Sequence, residues 1–283
     1  MKIVIKLLFN VMFLSNLYLH AISYSLKGEP IDVVIPAHPK DLMKLEFAIK
    51  GIKKYGKNVR RVIVVSAEKY TDEAEWICEG IYPFNKDSIS KYLSNEVLHE
   101  QRSFRRVGWM YQQLLKLYSP FVIPDISSNV LVLDADTIFL NPVEFIDSEG
   151  RALYNVGTEH HKPYFRHAKQ LIKDPIIKRL FPKFSGICHH MLFQRAVLED
   201  LFSRITEKHN VEPWKAFLKC VDSKELDGSC FSEYEIYFNF VFSQTDQVRI
   251  RHLRWANSRF SESRIRDLQK NGFHYVSCHS YMR

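Results

Sequence analysis

The sequence predicts one α/β domain with a Rossmann-like, mostly parallel central sheet flanked by helices. Residues 31–36 and 61–66 are short runs rich in Val and Ile, and between them residues 41–54 carry apolar side chains at helical spacing. The order strand, helix, strand favours parallel strands joined by a crossover helix over a sandwich of antiparallel strands. No repeat, low-complexity tract or Gly/Ser linker interrupts the sequence, so we assign residues 30–283 to this single domain.

A third apolar run ends at two acidic residues. Residues 130–133 have the pattern of a strand covered on both faces, and Asp134 and Asp136 follow them. Side chains alternate along an extended chain, so these two carboxylates point the same way. They are expected on a common rim with Pro36 and Ser66, because ligands of parallel sheets bind at the carboxyl ends of the strands. Carboxylate oxygens suit Mg2+ or Mn2+, which in turn would hold a diphosphate. The alternative is that the pair only ends the strand and caps the next turn.

The later elements follow from the same patterns. Residues 100–118 predict a helix whose apolar face includes Trp109 and Leu114. Further strands and helices are expected, the strands at 153–157, 187–193 and 273–276 and the helices at 195–208, 212–220, 233–243 and 259–270. One domain can contain all of these elements.

Composition and charge narrow the function classes. The 283 residues are 46% hydrophobic and 25% charged, which is ordinary for a globular protein, so extensive disorder is not expected. The net charge of +8 favours anionic ligands such as nucleotide diphosphates, and it suits peripheral contact with a membrane surface. Basic residues are scattered and form no dense Lys/Arg tract, so nucleic acid is not expected as a partner.

The beginning of the chain has the features of a targeting segment. Lys2 and Lys6 form a short basic region, residues 7–19 form a mostly apolar run, and residues 21–23 form a small-x-small cleavage site. The run is short for a membrane span and is interrupted by two Asn residues. We expect a cleaved signal peptide at 1–23 and a protein in the secretory pathway or exported. An uncleaved N-terminal anchor and a cytosolic protein with an apolar first helix are the alternatives.

The five cysteines give no sign of a metal site. None of them has Cys-x-x-Cys spacing, so zinc is not expected. In an oxidising compartment up to two disulfides are allowed, and Cys220 and Cys230 are the closest pair in sequence.

Four sequence blocks carry a resemblance to a known family. They are GWMYQQLLKL at 108–117, LDADTIFL at 133–140, HHMLF at 189–193 and FSEYEIY at 231–237. With a first strand that ends in Val-Ile-Pro and a second that ends in Val-Val-Ser, the chain resembles the GT-A glycosyltransferases. Within that superfamily it is most similar to a family of unknown function, domain of unknown function 6492. The resemblance covers residues 30–245 and implies a GT-A-like fold and transfer of a sugar.

The resemblance assigns a metal site to the Asp-x-Asp pair. In GT-A enzymes such a pair binds Mn2+ or Mg2+, so Asp136 is the expected metal ligand, and Asp134 is expected to touch the metal or the donor ribose. Many GT-A enzymes take a third ligand from a late histidine, for which His279 is the candidate, ahead of His189 and His190. The alternative for His279 is a surface residue or a satisfied core residue.

A donor site is expected along the helix that contains Trp109. Trp109, Gln113 and Lys116 are four and three residues apart, so one helix face presents all three. Lys116 is then placed to meet a donor phosphate as a point charge. A solvated lysine on an amphipathic helix is the alternative. By resemblance, the nucleoside of the donor lies near three residues at the ends of the first two strands, Pro36, Ala37 and Ser66.

Glu233 is the candidate catalytic residue. Ser232 and Glu235 form a capping box before an apolar helix, which accounts for both without any chemistry. Glu233 is left over in the first turn, near the position from which a carboxylate deprotonates the acceptor hydroxyl in inverting GT-A enzymes. The sequence does not decide between retention and inversion.

Together these residues predict a metal-dependent glycosyltransferase that moves a sugar from a nucleotide-diphosphate donor to a hydroxyl group of a glycan, lipid or protein acceptor. One alternative is a non-catalytic, secreted sugar- or surface-binding module that kept a GT-A shell. Another is a phosphatase of the haloacid dehalogenase type, whose motif Asp-x-Asp-x-Thr/Val resembles residues 134–138. Against the phosphatase, Ile138 occupies the fifth position and no later Asp-Asp pair supplies Mg2+ ligands.

Overall fold

The computed structural model describes residues 22–26, 28–101, 103–173, 184–279 and 282. The signal peptide expected at 1–23 therefore lies almost entirely outside the described residues, and it stays a prediction, as does the assignment of 30–283 to one domain. Within the described ranges, no helix is long and apolar enough to cross a membrane. All five cysteines are described and all are free, so Cys220 and Cys230 do not form the disulfide that an oxidising compartment would allow.

The largest sheet confirms the predicted fold class. Its five strands are β1 (Ile31–Pro36), β2 (Val59–Ser66), β3 (Glu75–Cys78), β4 (Asn129–Leu133) and β7 (His190–Gln194). They lie in the order β3-β2-β1-β4-β7. Strands β1 to β4 pair in parallel, and β7 runs antiparallel to its neighbour β4. The fold is thus α/β with a mostly parallel central sheet, as the strand, helix, strand order predicts.

Two smaller sheets bring the end of the described chain to the end of β4. Their strands are β5 (Thr137–Phe139), β6 (Ala152–Tyr154), β8 (Val248–Ile250), β9 (Trp255–Ser258) and β10 (Tyr275–Cys278). Strands β5, β10 and β9 form one sheet in that order, and β6 pairs with β8. Because β10 pairs antiparallel with β5, Ser277 lies opposite Thr137 and the backbone N–H of Cys278 donates to the carbonyl of Asp136 at 2.8 Å. The pairing places His279 beside the acidic turn.

Helices cover the sheets. They are α1 (Leu42–Tyr55), α2 (Lys86–Tyr92), α3 (Val107–Val122), α4 (Lys162–Leu171), α5 (Arg195–His209), α6 (Pro213–Lys219), α7 (Glu233–Gln244) and α8 (Glu262–Lys270). The helix predicted at 100–118 begins later, at Val107, and continues through Pro120. The strand predicted at 187–193 begins only at His190. The prediction lacks six short elements, which are β3, α2, β5, α4, β8 and β9.

Apolar burial holds the acidic turn in place. Every residue of β1 and β4 is buried, which is the condition of strands covered on both faces. Helix α1 packs so closely on β5 that a Cβ atom at Gly51 would lie 2.7 Å from the carbonyl oxygen of Phe139. A larger residue at Gly51 would push the helix away from β5, the strand that follows Asp136 directly.

Candidate functional site

A cavity of about 350 Å³ opens at the carboxyl end of β4. Its walls come from α3, the turn after β4, the residues before β7, the start of α7 and the segment after β10. The predicted site residues that line it are Gln113, Lys116, Asp134, Asp136, Glu233 and His279. Three others, Pro36, Ala37 and Ser66, lie at the ends of β1 and β2 on the same edge of the sheet, but not among the residues that line this cavity.

The acidic turn after β4 presents both of its carboxylates to this cavity. The shared direction is as predicted, but it arises in a tight turn between β4 and β5 and not from alternation along a strand. The N–H of Asp134 donates to the carbonyl of His189 at 3.1 Å, and the N–H of Thr137 donates back to the carbonyl of Asp134 at 3.0 Å. The side chains of Asp134 and Asp136 are 21% and 17% exposed, so both reach solvent from within the cavity. A ligand in the cavity would meet two partly desolvated carboxylates.

Lys116 lies at the centre of the site and is fully enclosed. Its side chain is 1% exposed, and Nζ donates to Asp134 Oδ1, to Glu233 Oε1 at 2.7 Å and to the Tyr234 hydroxyl at 3.1 Å. That hydroxyl in turn donates to Asp134 Oδ1 at 3.1 Å. Burial alone would lower the pKa of Lys116, but the attraction of Asp134 and Glu233 outweighs it and raises the pKa. Lys116 is therefore a buried ammonium ion shared between two carboxylates.

Helix α7 delivers the second of these carboxylates. Ser232 caps the helix, its Oγ accepting from the N–H of Glu235 at 3.3 Å, while the Glu235 side chain accepts from Ser185 Oγ at 2.7 Å. Glu233 is the first helical residue, where a carboxylate is favoured by the helix dipole. The predicted cap of the helix by the Ser232 side chain is thus present. The side chain of Glu235 is bonded to buried partners.

Glu233 has one oxygen without a partner. Its side chain is 1% exposed, and although Oε1 accepts from Lys116, Oε2 has no hydrogen-bond partner among the described residues. Burial raises the pKa of Glu233, and the attraction of Lys116 offsets only part of that effect. A buried, unpaired carboxylate oxygen is costly unless a ligand supplies a donor. An alcohol group in the cavity is such a donor.

Histidines flank the two aspartates on the other side. His279 Nδ1 lies 3.2 Å from Asp136 Oδ2, and its Nε2 lies 3.2 Å from Asn257 Oδ1. His189 Nδ1 lies 3.3 Å from Asp134 Oδ2, and the two imidazole rings are 4.5 Å apart. The backbone of His189 has φ of +65°, which is uncommon outside glycine and marks a constrained position. The structure therefore brings two acid–histidine pairs side by side.

His190 belongs to the core instead. Its ring is buried against Phe139 and Tyr275, and Nδ1 lies 3.1 Å from the carbonyl oxygen of Cys188. Burial, with a smaller contribution from Arg251, lowers the pKa of His190 to about 3. His190 is therefore a core histidine with a hydrogen-bond partner, which is the alternative to a metal ligand.

The donor set suits a cation that arrives with its substrate rather than a closed metal cage. In the part of the chain that the structure describes, no three His, Cys, Asp or Glu side chains are arranged to hold a metal ion by themselves. Asp136 can supply a carboxylate oxygen, and His279 can supply a ring nitrogen once the contact of that nitrogen with Asp136 or with Asn257 opens. Mg2+ and similar ions commonly take one or two protein carboxylates and complete their shell with substrate phosphates and water. The residues present fit that pattern.

One end of the cavity is aromatic. Trp109 packs nearly parallel to Tyr164, with ring centroids 6.5 Å apart, and against Phe231 at 5.7 Å. The guanidinium carbon of Arg106 lies 5.1 Å from the centroid of the indole ring. Gln113 is 5% exposed and borders the cavity one turn further along α3. The helix face predicted from the spacing of Trp109, Gln113 and Lys116 does face the cavity.

Sequence reasoning does not find Tyr234 or the contact of His189 with Asp134. Tyr234 follows Glu233 directly, but its hydroxyl matters only because α3 packs against α7. The sequence favours His279 over His189 as a metal ligand. The pair of adjacent histidines does not predict the positive φ that places His189 beside Asp134.

The fold and the cavity define an α/β protein with a cluster of acids, histidines and one buried lysine at the carboxyl edge of a parallel sheet. Its sequence matches the family described as "Family of unknown function (DUF6492)" over residues 29–270, and the chain belongs to that family. This confirms the family predicted from the four sequence blocks. Among proteins with curated descriptions, none matches the chain.

Two solved structures are similar to this chain at low sequence identity. One is mouse xyloside xylosyltransferase 1 in its apo form, with a TM-score of 0.40 and 12% identity over 90% of this chain and 99% of that chain. The other is the galactosyltransferase LgtC in complex with donor and acceptor sugar analogs, with a TM-score of 0.39 and 12% identity over 88% of this chain and 87% of that chain.

Proposed function

We propose that this protein is a metal-dependent glycosyltransferase that moves a sugar from a nucleotide-diphosphate donor to a hydroxyl group of a glycan, lipid or protein acceptor. One observation carries the proposal. The Asp134 and Asp136 carboxylates share a cavity with Glu233, whose Oε2 is buried and has no partner among the described residues. The first two suit a cation with a diphosphate, and the third suits an alcohol.

The donor side of the cavity is assigned to the aspartates and histidines. Asp136 and His279 would hold Mn2+ or Mg2+, with Asp134 Oδ2 and His189 beside them. The bound cation would neutralise charge on the departing diphosphate. Gln113 is assigned to the donor sugar because its amide borders the cavity between Trp109 and Lys116. The nucleoside is assigned to the ends of β1 and β2, at Pro36, Ala37 and Ser66.

Glu233 is assigned to the acceptor as the catalytic base. As the acceptor oxygen bonds to the anomeric carbon of the donor, the bond from that carbon to the diphosphate oxygen breaks and Oε2 of Glu233 takes the hydroxyl proton. The raised pKa of Glu233 favours this step, because a more basic carboxylate is a better proton acceptor.

The test is a nucleotide-sugar hydrolysis screen with Mn2+ on the purified protein. UDP-, GDP-, ADP- and TDP-linked sugars are offered with water as the acceptor, and released nucleoside diphosphate is measured with and without EDTA. We expect turnover of at least one donor that EDTA abolishes. If no donor is hydrolysed, the non-catalytic module becomes the better account.

The role of Glu233 has its own test. Glu233→Gln keeps the size of the side chain and removes the proton-accepting charge, so turnover should fall by roughly 10²–10⁴-fold. Binding of nucleoside diphosphate with Mn2+, measured by calorimetry, should stay within about threefold. The control is Asp41→Asn, a carboxylate on the same cavity that already pairs with Lys44 at 3.5 Å. Equal losses of binding and turnover in Glu233→Gln would place Glu233 in the donor site instead.

A further inference from the structure

Lys116 uses its whole hydrogen-bonding capacity inside the protein. A lysine ammonium group has three N–H donors and no acceptor. The three acceptors around Nζ are Asp134 Oδ1, Glu233 Oε1 and the Tyr234 hydroxyl. The Tyr234 ring also lies against the ammonium group, with its centroid 4.3 Å from Nζ. A donor phosphate could gain an N–H from Lys116 only if one of these bonds broke.

The same ammonium group joins the two halves of the site. Asp134 belongs to the acidic turn after β4, and Glu233 begins α7, 117 residues after Lys116 in sequence. Among the described residues, Lys116 is the only Lys or Arg that forms an ion pair with Glu233. Without that cation, the buried carboxylate of Glu233 and the partly exposed carboxylate of Asp134 would repel each other. Their positions therefore depend on Lys116.

We propose that Lys116 is a positioning residue that grips Glu233 by Oε1, so that Oε2 is the oxygen turned to the acceptor, and that it does not bind the donor phosphate. This inference rests on the proposed function. It replaces the donor-phosphate role that the sequence suggests for Lys116. The Tyr234 hydroxyl accepts from Lys116 and donates to Asp134. These two hydrogen bonds hold the acidic turn against the start of α7.

A double-mutant cycle separates the two roles. The proteins are the wild type, Lys116→Met, Glu233→Gln and the double variant, each checked for folding by circular dichroism. Binding of UDP and GDP with Mn2+ is measured by calorimetry, and hydrolysis of UDP- and GDP-linked sugars is measured in parallel. In such a cycle, residues that act through one another give non-additive losses, whereas independent residues give losses that multiply.

If Lys116 acts through Glu233, each single variant should lose roughly 10²-fold or more in turnover. The double variant should then be within about threefold of Glu233→Gln, and all three should bind nucleoside diphosphate within about threefold of the wild type. A phosphate-binding lysine would give the opposite result. Binding would weaken by about tenfold or more whenever Lys116 is changed, and the losses in turnover would multiply, which would overturn the inference.

The comparison of the double variant with Glu233→Gln is decisive even if Lys116→Met does not fold. In the double variant only Asp134 loses its cation, and it keeps the Tyr234 and His189 contacts. A wild-type protein that neither binds nor hydrolyses any of these nucleotides overturns the proposed function itself, and the inference with it.

Discussion

The two ends of the central sheet both carry acidic residues, and they use them differently. At the amino end, Asp32 of β1 is 0% exposed and accepts two hydrogen bonds from Arg60, at 2.9 and 2.6 Å, and one from the N–H of Ser127 at 2.8 Å. At the carboxyl end, Asp136 is partly exposed, and Glu233 is buried with an oxygen that no described residue satisfies.

The different hydrogen-bond partners separate acids that stabilise the fold from acids that we propose bind a ligand. Asp32 joins β1, β2 and the segment before β4, and its bidentate pair with Arg60 is the strong kind of ion pair. Asp136 and Glu233 make fewer contacts with the protein and face a common cavity. We therefore distinguish a structural edge of the sheet from its proposed functional edge, in keeping with ligand sites at the carboxyl ends of parallel strands.

The largest expected effect is at Asp136. Asp136→Ala should reduce Mn2+-dependent turnover by about 10³-fold or more, because a bound cation supplies several kcal/mol of charge stabilisation and each 1.36 kcal/mol is about tenfold. The free energy of unfolding should change by less than about 1 kcal/mol, as for other partly exposed ion pairs. Steady-state kinetics and urea denaturation measure the two effects, and unchanged kinetics would remove Asp136 from the functional edge.

Asp32→Asn is the matched change at the structural edge. It removes the charge that holds Arg60 and weakens the acceptor of the buried Ser127 N–H, so the free energy of unfolding should fall by about 3 kcal/mol. The Kd of nucleoside diphosphate with Mn2+ should stay the same in the folded variant. The distinction between the two edges fails if Asp32→Asn leaves stability intact, or if it weakens nucleotide binding while the protein stays folded.

A smaller expected effect concerns the pH dependence of the stability that the buried His190 contributes. Burial lowers the pKa of His190 to about 3. At mildly acidic pH the imidazole of His190 is therefore protonated in the unfolded chain and neutral in the folded protein. The stability contributed by neutral His190 is therefore complete above about pH 6.5 and falls by at most about 1.4 kcal/mol per pH unit below it. Burial lowers the pKa of His167 to about 4, with the same consequence.

Urea denaturation at pH 7 and pH 5 measures this loss. Relative to the wild type, His190→Gln should lose about 2 kcal/mol less on going from pH 7 to pH 5. If His190→Gln keeps the full pH dependence, His190 is not the buried neutral group described here.

Most of the central sheet could be predicted because its longer strands are recognisable from a short stretch of sequence alone. The runs at 31–36 and 61–66 are rich in Val and Ile, the run at 130–133 is continuously apolar, and each corresponds to a strand that is mostly or fully buried. β3 could not be found this way, because it is an edge strand of four residues, none of them fully buried. β7 begins only after His189, whose positive φ interrupts the extended backbone.

The candidate site divides in the same manner. Trp109, Gln113 and Lys116 share a face because helical spacing is a local rule. Asp134 and Asp136 share a direction through the tight turn between β4 and β5, which the alternation rule for strands does not describe. The contact of Lys116 with Glu233 joins residues 117 apart and arises from the packing of α3 on α7, which no local pattern records. The sequence therefore indicates which residues face the cavity, but not that Lys116 is already fully bonded there.

The central claim is that the carboxyl edge binds a nucleoside diphosphate through a cation held at Asp136. Calorimetric titration of the wild type and of Asp136→Ala with UDP and GDP, in Mn2+ and in EDTA, tests it most directly. We predict binding of at least one nucleotide to the wild type in Mn2+, with loss of that binding in EDTA and in Asp136→Ala. Binding that is equally strong without the cation or without the Asp136 carboxylate would contradict the account.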